Sequence, residues 1–173
     1  RWDPDVDTVE VEEFLNDLVR EDHHVDVLCE MAGDTLSPHY RRAWFAALFG
    51  PGANGKSKFL RLIRETLGDE NTTAQKLDAI INGDYAMSHI AGGFGTLANL
   101  IPEVDVRKVE NANPIKELTG DDTVGMRDIY GDPYEATSES KLFAATNEPL
   151  IFTERTNAIV RRIKPLEMPY EFK

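Results

Sequence analysis

The chain contains one cysteine, Cys29, so no disulfide can close within it, and the paired spacings of zinc sites and redox dithiols are absent. No apolar run approaches the roughly 18–20 residues that cross a bilayer, and Arg1-Trp2-Asp3-Pro4 has no apolar signal-peptide core. Both absences point to a cytoplasmic protein without a membrane partner. The chain also lacks an initiator Met and a terminal tail, as expected of a domain from a longer polypeptide. Positive charge is scarce. With 19 Lys and Arg against 31 Asp and Glu, the net charge of −12 excludes an all-over nucleic-acid-binding surface, so any such contact must be local. The acidic excess reads either as a solvated surface of the salt-adapted kind or as simple acidic bias that favours solubility. Repeats and low-complexity tracts are missing, and His23 and His24 have no spaced metal partners, so they read as surface histidines.

What is present suits one folded core: 173 residues, 41% hydrophobic and 29% charged. Val11, Phe14, Leu15, Leu18 and Val19 recur at helical spacing, and Val25, Val27, Leu28, Met31 and Ala32 continue a second short helix up to Gly33. Residues 1–40 therefore read as a small N-terminal helical part ahead of a core at 41–173. Ser37-Pro38 suits the start of a further helix leading to Ala43–Phe49, an apolar run that ends as a buried strand. Residues 57–67 carry helical periodicity, with Gly68 where a C-cap glycine belongs. Gly92-Gly93-Phe94-Gly95 approaches a strand at 97–101, which closes on Pro102-Glu103-Val104-Asp105. A short helix opens at Asn113-Pro114 and ends near Gly120, and 122–138 has the composition of a hairpin. Residues 142–146 make a third buried strand and 162–166 an edge strand, where Pro165 is tolerated.

The strongest chemical signal is Gly50-Pro51-Gly52-Ala53-Asn54-Gly55-Lys56-Ser57, which matches G-x-x-x-x-G-K-[ST] between an apolar strand and a helix. Glycines let successive N–H groups point at phosphate oxygens, and the helix N-terminus adds partial positive charge. ATP with Mg²⁺ is the expected ligand, and the expected fold is an α/β P-loop NTPase, its central sheet flanked by helices. Lys56 would neutralise the β- and γ-phosphates and Ser57 would place its hydroxyl on Mg²⁺, with Gly50, Gly52, Ala53, Asn54, Gly55 and Lys58 completing the cradle. Hydrolysis also needs a metal-linked acid and a group that orients water. Glu103, at a strand exit, offers the acid, and Asp105 could share the metal; the competing reading is a solvated acidic turn. Asn147, directly after a strand, could hold the attacking water, or could simply end that strand before Glu148-Pro149. Arg161 or Arg162 could act as an arginine finger on a neighbouring subunit's nucleotide; otherwise they form a solvated pair.

The order of these parts resembles the superfamily 3 helicase domain of phage, plasmid and poxvirus-type primase–helicases. The resemblance runs from about residue 12 to residue 170 and rests on the loop Gly-Pro-Gly-Ala-Asn-Gly-Lys-Ser, on Lys116-Glu117-Leu118-Thr119-Gly120-Asp121-Asp122 with the hairpin after it, on Lys141-Leu142-Phe143-Ala144-Ala145-Thr146-Asn147-Glu148-Pro149, and on Arg161-Arg162-Ile163. It implies the AAA+ type of the P-loop fold, Walker A roles for Lys56 and Ser57, a Walker B role for Glu103 with Asp105, a sensor role for Asn147, and a finger at Arg162 in preference to Arg161. It further implies a ring, expected to be a hexamer, with ATP between subunits and a hairpin from 116–138 gripping single-stranded DNA in the pore. Arg127, Tyr130 and Lys141 are then the DNA candidates, since an arginine can pair with phosphate and a tyrosine can stack on a base. A primase domain in the same polypeptide is part of that expectation. Two rivals stay open: an AAA+ ATPase that remodels or loads proteins, and a nucleotide-binding assembly module without hydrolysis.

Overall fold

The computed structural model describes residues 5–39, 42–91, 96–120, 123–127 and 130–172. Gly92–Gly95, Asp121 and Asp122, which the sequence reading singles out, lie outside that set. In chain order the elements are α1 (Val9–Leu18), α2 (Asp22–Asp34), β1 (Phe45–Phe49), α3 (Lys56–Leu67), β2 (Thr72–Thr73), α4 (Leu77–Asn82), α5 (Asp84–Ala91), β3 (Ala98–Ile101), β4 (Lys108–Val109), α6 (Asn113–Leu118), β5 (Val124–Arg127), β6 (Pro133–Ala136), β7 (Lys141–Thr146), β8 (Ile151–Phe152), α7 (Asn157–Val160) and β9 (Ile163–Glu167).

The central sheet has the order β2-β3-β7-β1-β9, and every pairing in it is parallel. A parallel sheet needs crossovers that cover both its faces, so its inner strands are largely apolar and not alternating, with Asn99 of β3 and Lys141 and Thr146 of β7 as buried polar exceptions. β1 shows this directly. Phe45 and Ala47 enter one core, Ala46 and Leu48 the other, and on β7 Leu142 and Ala144 are divided from Phe143 and Ala145 in the same way. The first core, which Ala46, Leu48, Phe143 and Ala145 enter, is closed by α1, α2 and α3; the second, which takes Phe45, Ala47, Leu142 and Ala144, is closed by α4, α5 and α6 with Met126 of β5 and Ile159 of α7. Trp44 and Phe59 meet Phe143 edge-on at 5.2 and 6.4 Å. Burying a phenylalanine of this kind stabilises by about 1.5–3 kcal/mol. Proline 165 sits on β9, at the sheet edge, where a missing N–H costs least.

The N-terminal helices share the first core with the sheet through Leu15, Leu18, Leu28 and Met31. They carry most of the charge imbalance: residues 1–40 hold twelve acids and two basic residues, whereas 41–173 hold nineteen and seventeen. The expected helix at Ser37-Pro38 does not form; after α2 ends, residues 35–39 turn and bend. The physical reason is a buried lysine. The carbonyls of Ser37 and His39 accept from Lys141 Nζ at 2.5 and 3.3 Å, which turns the segment toward the base of β7. Among the described residues no helix is long and apolar enough to cross a membrane.

Candidate functional site

Because β3, β7 and β1 are parallel neighbours, the loops that leave them converge at one edge, the position where open α/β sheets place their ligands. The register is tight: Phe49 pairs with Thr146, Ile101 with Ala144, and the Val104 N–H donates to the Ala145 carbonyl at 3.0 Å. As a result residues 52–58, 102–107 and 145–148, together with Phe14 and Phe172, surround one cavity of about 840 Å³.

The loop between β1 and α3 needs glycine at two places. Gly50 has φ 148°, and a Cβ there would lie 2.2 Å from the Met168 carbonyl oxygen; Gly55 has φ 85°, and its Cβ would lie 2.3 Å from Leu18 Cδ2. Gly52, by contrast, faces open space. Lys56 opens α3 but folds back over the loop, donating to the carbonyls of Gly50 (2.8 Å) and Pro51 (3.0 Å) and to Asn54 Oδ1 (2.7 Å). Asn54 Nδ2 in turn donates to the Met168 carbonyl at 2.6 Å, which ties the loop to the exit of β9. Lys56 is 7% exposed, and burial lowers its pKa. Ser57 and Lys58 are exposed beside it, at a helix N-terminus with no side-chain cap, where free N–H groups and the helix dipole favour an anion.

On the facing wall Glu103 is exposed and makes no hydrogen bond or ion pair among the described residues. Asp105 also lines the cavity but pairs with Lys76 at 3.2 Å. Asn147 is exposed on the third wall. Its turn is held by the Thr146 hydroxyl, which donates to the Glu148 carbonyl and accepts the Glu148 N–H, and by an ion pair between Glu148 and Arg107. The arrangement thus offers an oxyanion-binding helix end, a hydroxyl, a free carboxylate and a free amide around one space.

Other expected site residues fall elsewhere. Lys141 is 0% exposed at the opposite end of β7, donating to Ser37, His39 and Glu139 carbonyls, so the expectation that it faces DNA is corrected. Arg162 is also turned inward. It is 9% exposed, its Nη1 donates to the Ala158 carbonyl at 2.9 Å, and its Nε has no partner among the described residues. Arg161, at the end of α7, is the exposed member of the pair, so the finger assignment to Arg162 is corrected on the same physical ground. β5 and β6 form the antiparallel hairpin expected within 122–138; Arg127 is exposed and bonds the Gly131 carbonyl at 3.1 Å, while Tyr130 projects fully, with φ 64°. Sequence reasoning missed Phe14, Phe172, Arg107 and Glu148 as cavity residues. Phe14 carries only the spacing of a core helix position, and the other three carry no local signal.

Residues 48–162 match a family of unknown function, DUF5906, and the chain belongs to that family. Over 134 residues it is 28% identical to the protein named "Putative helicase L207/L206" of Acanthamoeba polyphaga mimivirus, covering 74% of this chain and 14% of that one. The chain shares its fold with the NrS-1 C-terminal region. The A form of the apo structure superposes with a TM-score of 0.71 at 16% identity, covering 92% of this chain and 37% of that chain. A further apo structure of the region gives 0.69 at 16% identity, covering 91% and 38%. The chain therefore spans a minor part of each relative's length. Distant homology to the mimivirus protein that bears the helicase name, and a mixed α/β fold with a central parallel sheet, are established on these grounds.

Proposed function

We propose that this chain is the ATP-hydrolysing motor of a superfamily 3, AAA+ type DNA helicase that acts in the replication of a phage, plasmid or virus-like element. One observation carries the reading: three adjacent parallel strands deliver the Gly50–Ser57 loop, Glu103 and Asn147 to a single cavity of about 840 Å³. That volume suits a nucleotide. The strand order, with β1 between β7 and β9, supports a P-loop assignment.

The residues fit Mg-ATP. Ser57 and Glu103 line the same cavity, and Mg²⁺ would be held there by the Ser57 hydroxyl, by Glu103 and by phosphate oxygens. When bound there, Mg²⁺ supplies charge neutralisation on the β- and γ-phosphates. Lys56 exchanges its loop carbonyls for phosphate oxygens, a short swing because all three present acceptors lie in the same loop. Asn147 orients water toward the γ-phosphoryl group, and Asp105 remains available once Lys76 releases it. Arg161 of a neighbouring subunit completes the charge balance, so the unit works as a ring, in this reading a hexamer in the cytoplasm, with a primase domain elsewhere in the polypeptide. Arg127 and the projecting Tyr130 grip one DNA strand by phosphate pairing and stacking. The near-balance of charge across 41–173 removes the objection that net charge raised against DNA contact.

Steady-state ATPase with and without single-stranded DNA tests this reading on wild type and on the Arg127→Ala, Tyr130→Ala double variant. Stimulation severalfold in wild type and little in the double variant is expected. Turnover that ignores DNA in the wild type would instead support a protein-remodelling ATPase.

A further inference from the structure

The cavity wall is chemically mixed. Ser57, Glu103 and Asn147 line it with polar groups, whereas Phe14 of α1 and Phe172, beyond β9, line it with aromatic side chains. Phe172 comes in at Gly55, and Leu18, one helical turn after Phe14, meets the same glycine. A Cβ on Gly55 would lie 3.1 Å from Phe172 Cε2 on one side and 2.3 Å from Leu18 Cδ2 on the other, and Leu18 shares a helix face with Phe14 at i, i+4. The Phe172 N–H donates to the Ala53 carbonyl at 2.8 Å, so the ring is held to the loop by backbone, although 40% of Phe172 remains exposed.

We propose that Phe14 and Phe172 form the wall that receives the base of the nucleoside triphosphate. The inference rests on the ATP reading of the cavity and adds which residues hold the part of the ligand that carries no charge. Phosphates belong at the start of α3, and the flat, weakly hydrated base then needs an apolar face to cover it. Phe172 offers such a face, half-open and fixed in place. The Asn54 amide N–H is committed to the Met168 carbonyl, so that donor is not available to the base. The N-terminal helical part and the segment after β9, far apart in sequence, thereby become two sides of one ligand site. α1 belongs to the nucleotide machinery and is more than a cover on the sheet.

The test compares equilibrium binding of ATP and of inorganic tripolyphosphate, which lacks the base, to the whole chain in Mg²⁺. Phe172→Leu and Phe14→Leu keep apolar volume and remove the ring face, and thermal melting checks that each variant folds. Each substitution is expected to weaken ATP about tenfold, within the range that base–aromatic stacking supplies, while tripolyphosphate affinity stays within about twofold of wild type. If ATP affinity is unchanged in both, or if ATP and tripolyphosphate weaken together, the aromatic wall is not the base site. Should Phe14→Leu fail to fold, the more exposed Phe172→Leu decides alone. Wild type that binds neither ligand would overturn the ATP reading itself, an outcome separate from failure of the base assignment.

Discussion

Two buried lysines, one at each end of the central sheet, look alike locally. Lys56 gives its ammonium to two carbonyls and an amide oxygen, Lys141 to three carbonyls, and burial lowers the pKa of both. For Lys141 the carboxylates of Asp34 and Glu139 partly oppose that effect. The acceptors differ in origin. Those of Lys56 lie within the preceding turn of the same loop, beside the cavity, whereas two of the three around Lys141 come from residues 37 and 39, across the fold. A local acceptor set can be traded for ligand oxygens without disturbing tertiary structure; a distant one is a strut. Burial and carbonyl contacts therefore do not mark a functional lysine, but acceptor locality together with an adjoining cavity does.

Substituting each lysine by methionine gives the largest expected contrast. Lys141→Met removes the donor from three part-buried carbonyls and should lower unfolding stability by about 3 kcal/mol, at the low end of the about 1–3 kcal/mol that each unsatisfied polar group costs. Lys56→Met should lose less than half as much by urea denaturation, and a larger loss there would invert the comparison. Next come the loop glycines. Gly55→Ala meets both a positive φ and Leu18, so about 2 kcal/mol should be lost, while Gly52→Ala should stay within about 0.5 kcal/mol of wild type. Smaller still, Arg162→Ala should cost about 1 kcal/mol of stability through its lost helix contact, whereas Arg161→Ala should leave melting unchanged and, on the proposed reading of a ring ATPase, reduce turnover. The smallest effect concerns a third lysine. The Thr156 hydroxyl and then Lys116 hold the Glu154 carboxyl below the usual range. Its contribution is present above the ordinary glutamate pKa of about 4.3 and is lost as pH falls through the lower folded value. An NMR titration of Glu154 should show that depression and its partial relief in Thr156→Ala.

Much of the sheet was legible in the sequence. The runs at 45–49, 98–101 and 142–146 are apolar on both faces because each strand is buried twice, and the helix at 56–67 keeps a clean 3.6-residue period. Strand order was not legible, because parallel partners are chosen by distant contacts. Nor were β2, α4 and α5, whose short segments lack a strong period. Among candidate site residues, the loop, Glu103 and Asn147 were legible as strand-exit positions, which the fold brings to one cavity. Lys141 misled because a lysine before an apolar strand looks like a surface boundary until Ser37 and His39 are folded against it. Arg161 and Arg162 could not be separated by eye: a four-residue helix fixes which one points inward, and adjacent residues differ only by its phase. Phe14 has the spacing of a core residue, and only the fold brings it to the cavity that Gly55 also lines.

If Lys56 and its loop hold the phosphates of ATP, calorimetric titration of Mg-ATP into wild type and Lys56→Ala will show it. Measurable binding to wild type is expected, at least tenfold weaker in Lys56→Ala with melting nearly unchanged. Equal affinity for both proteins, or no binding to wild type, would contradict it.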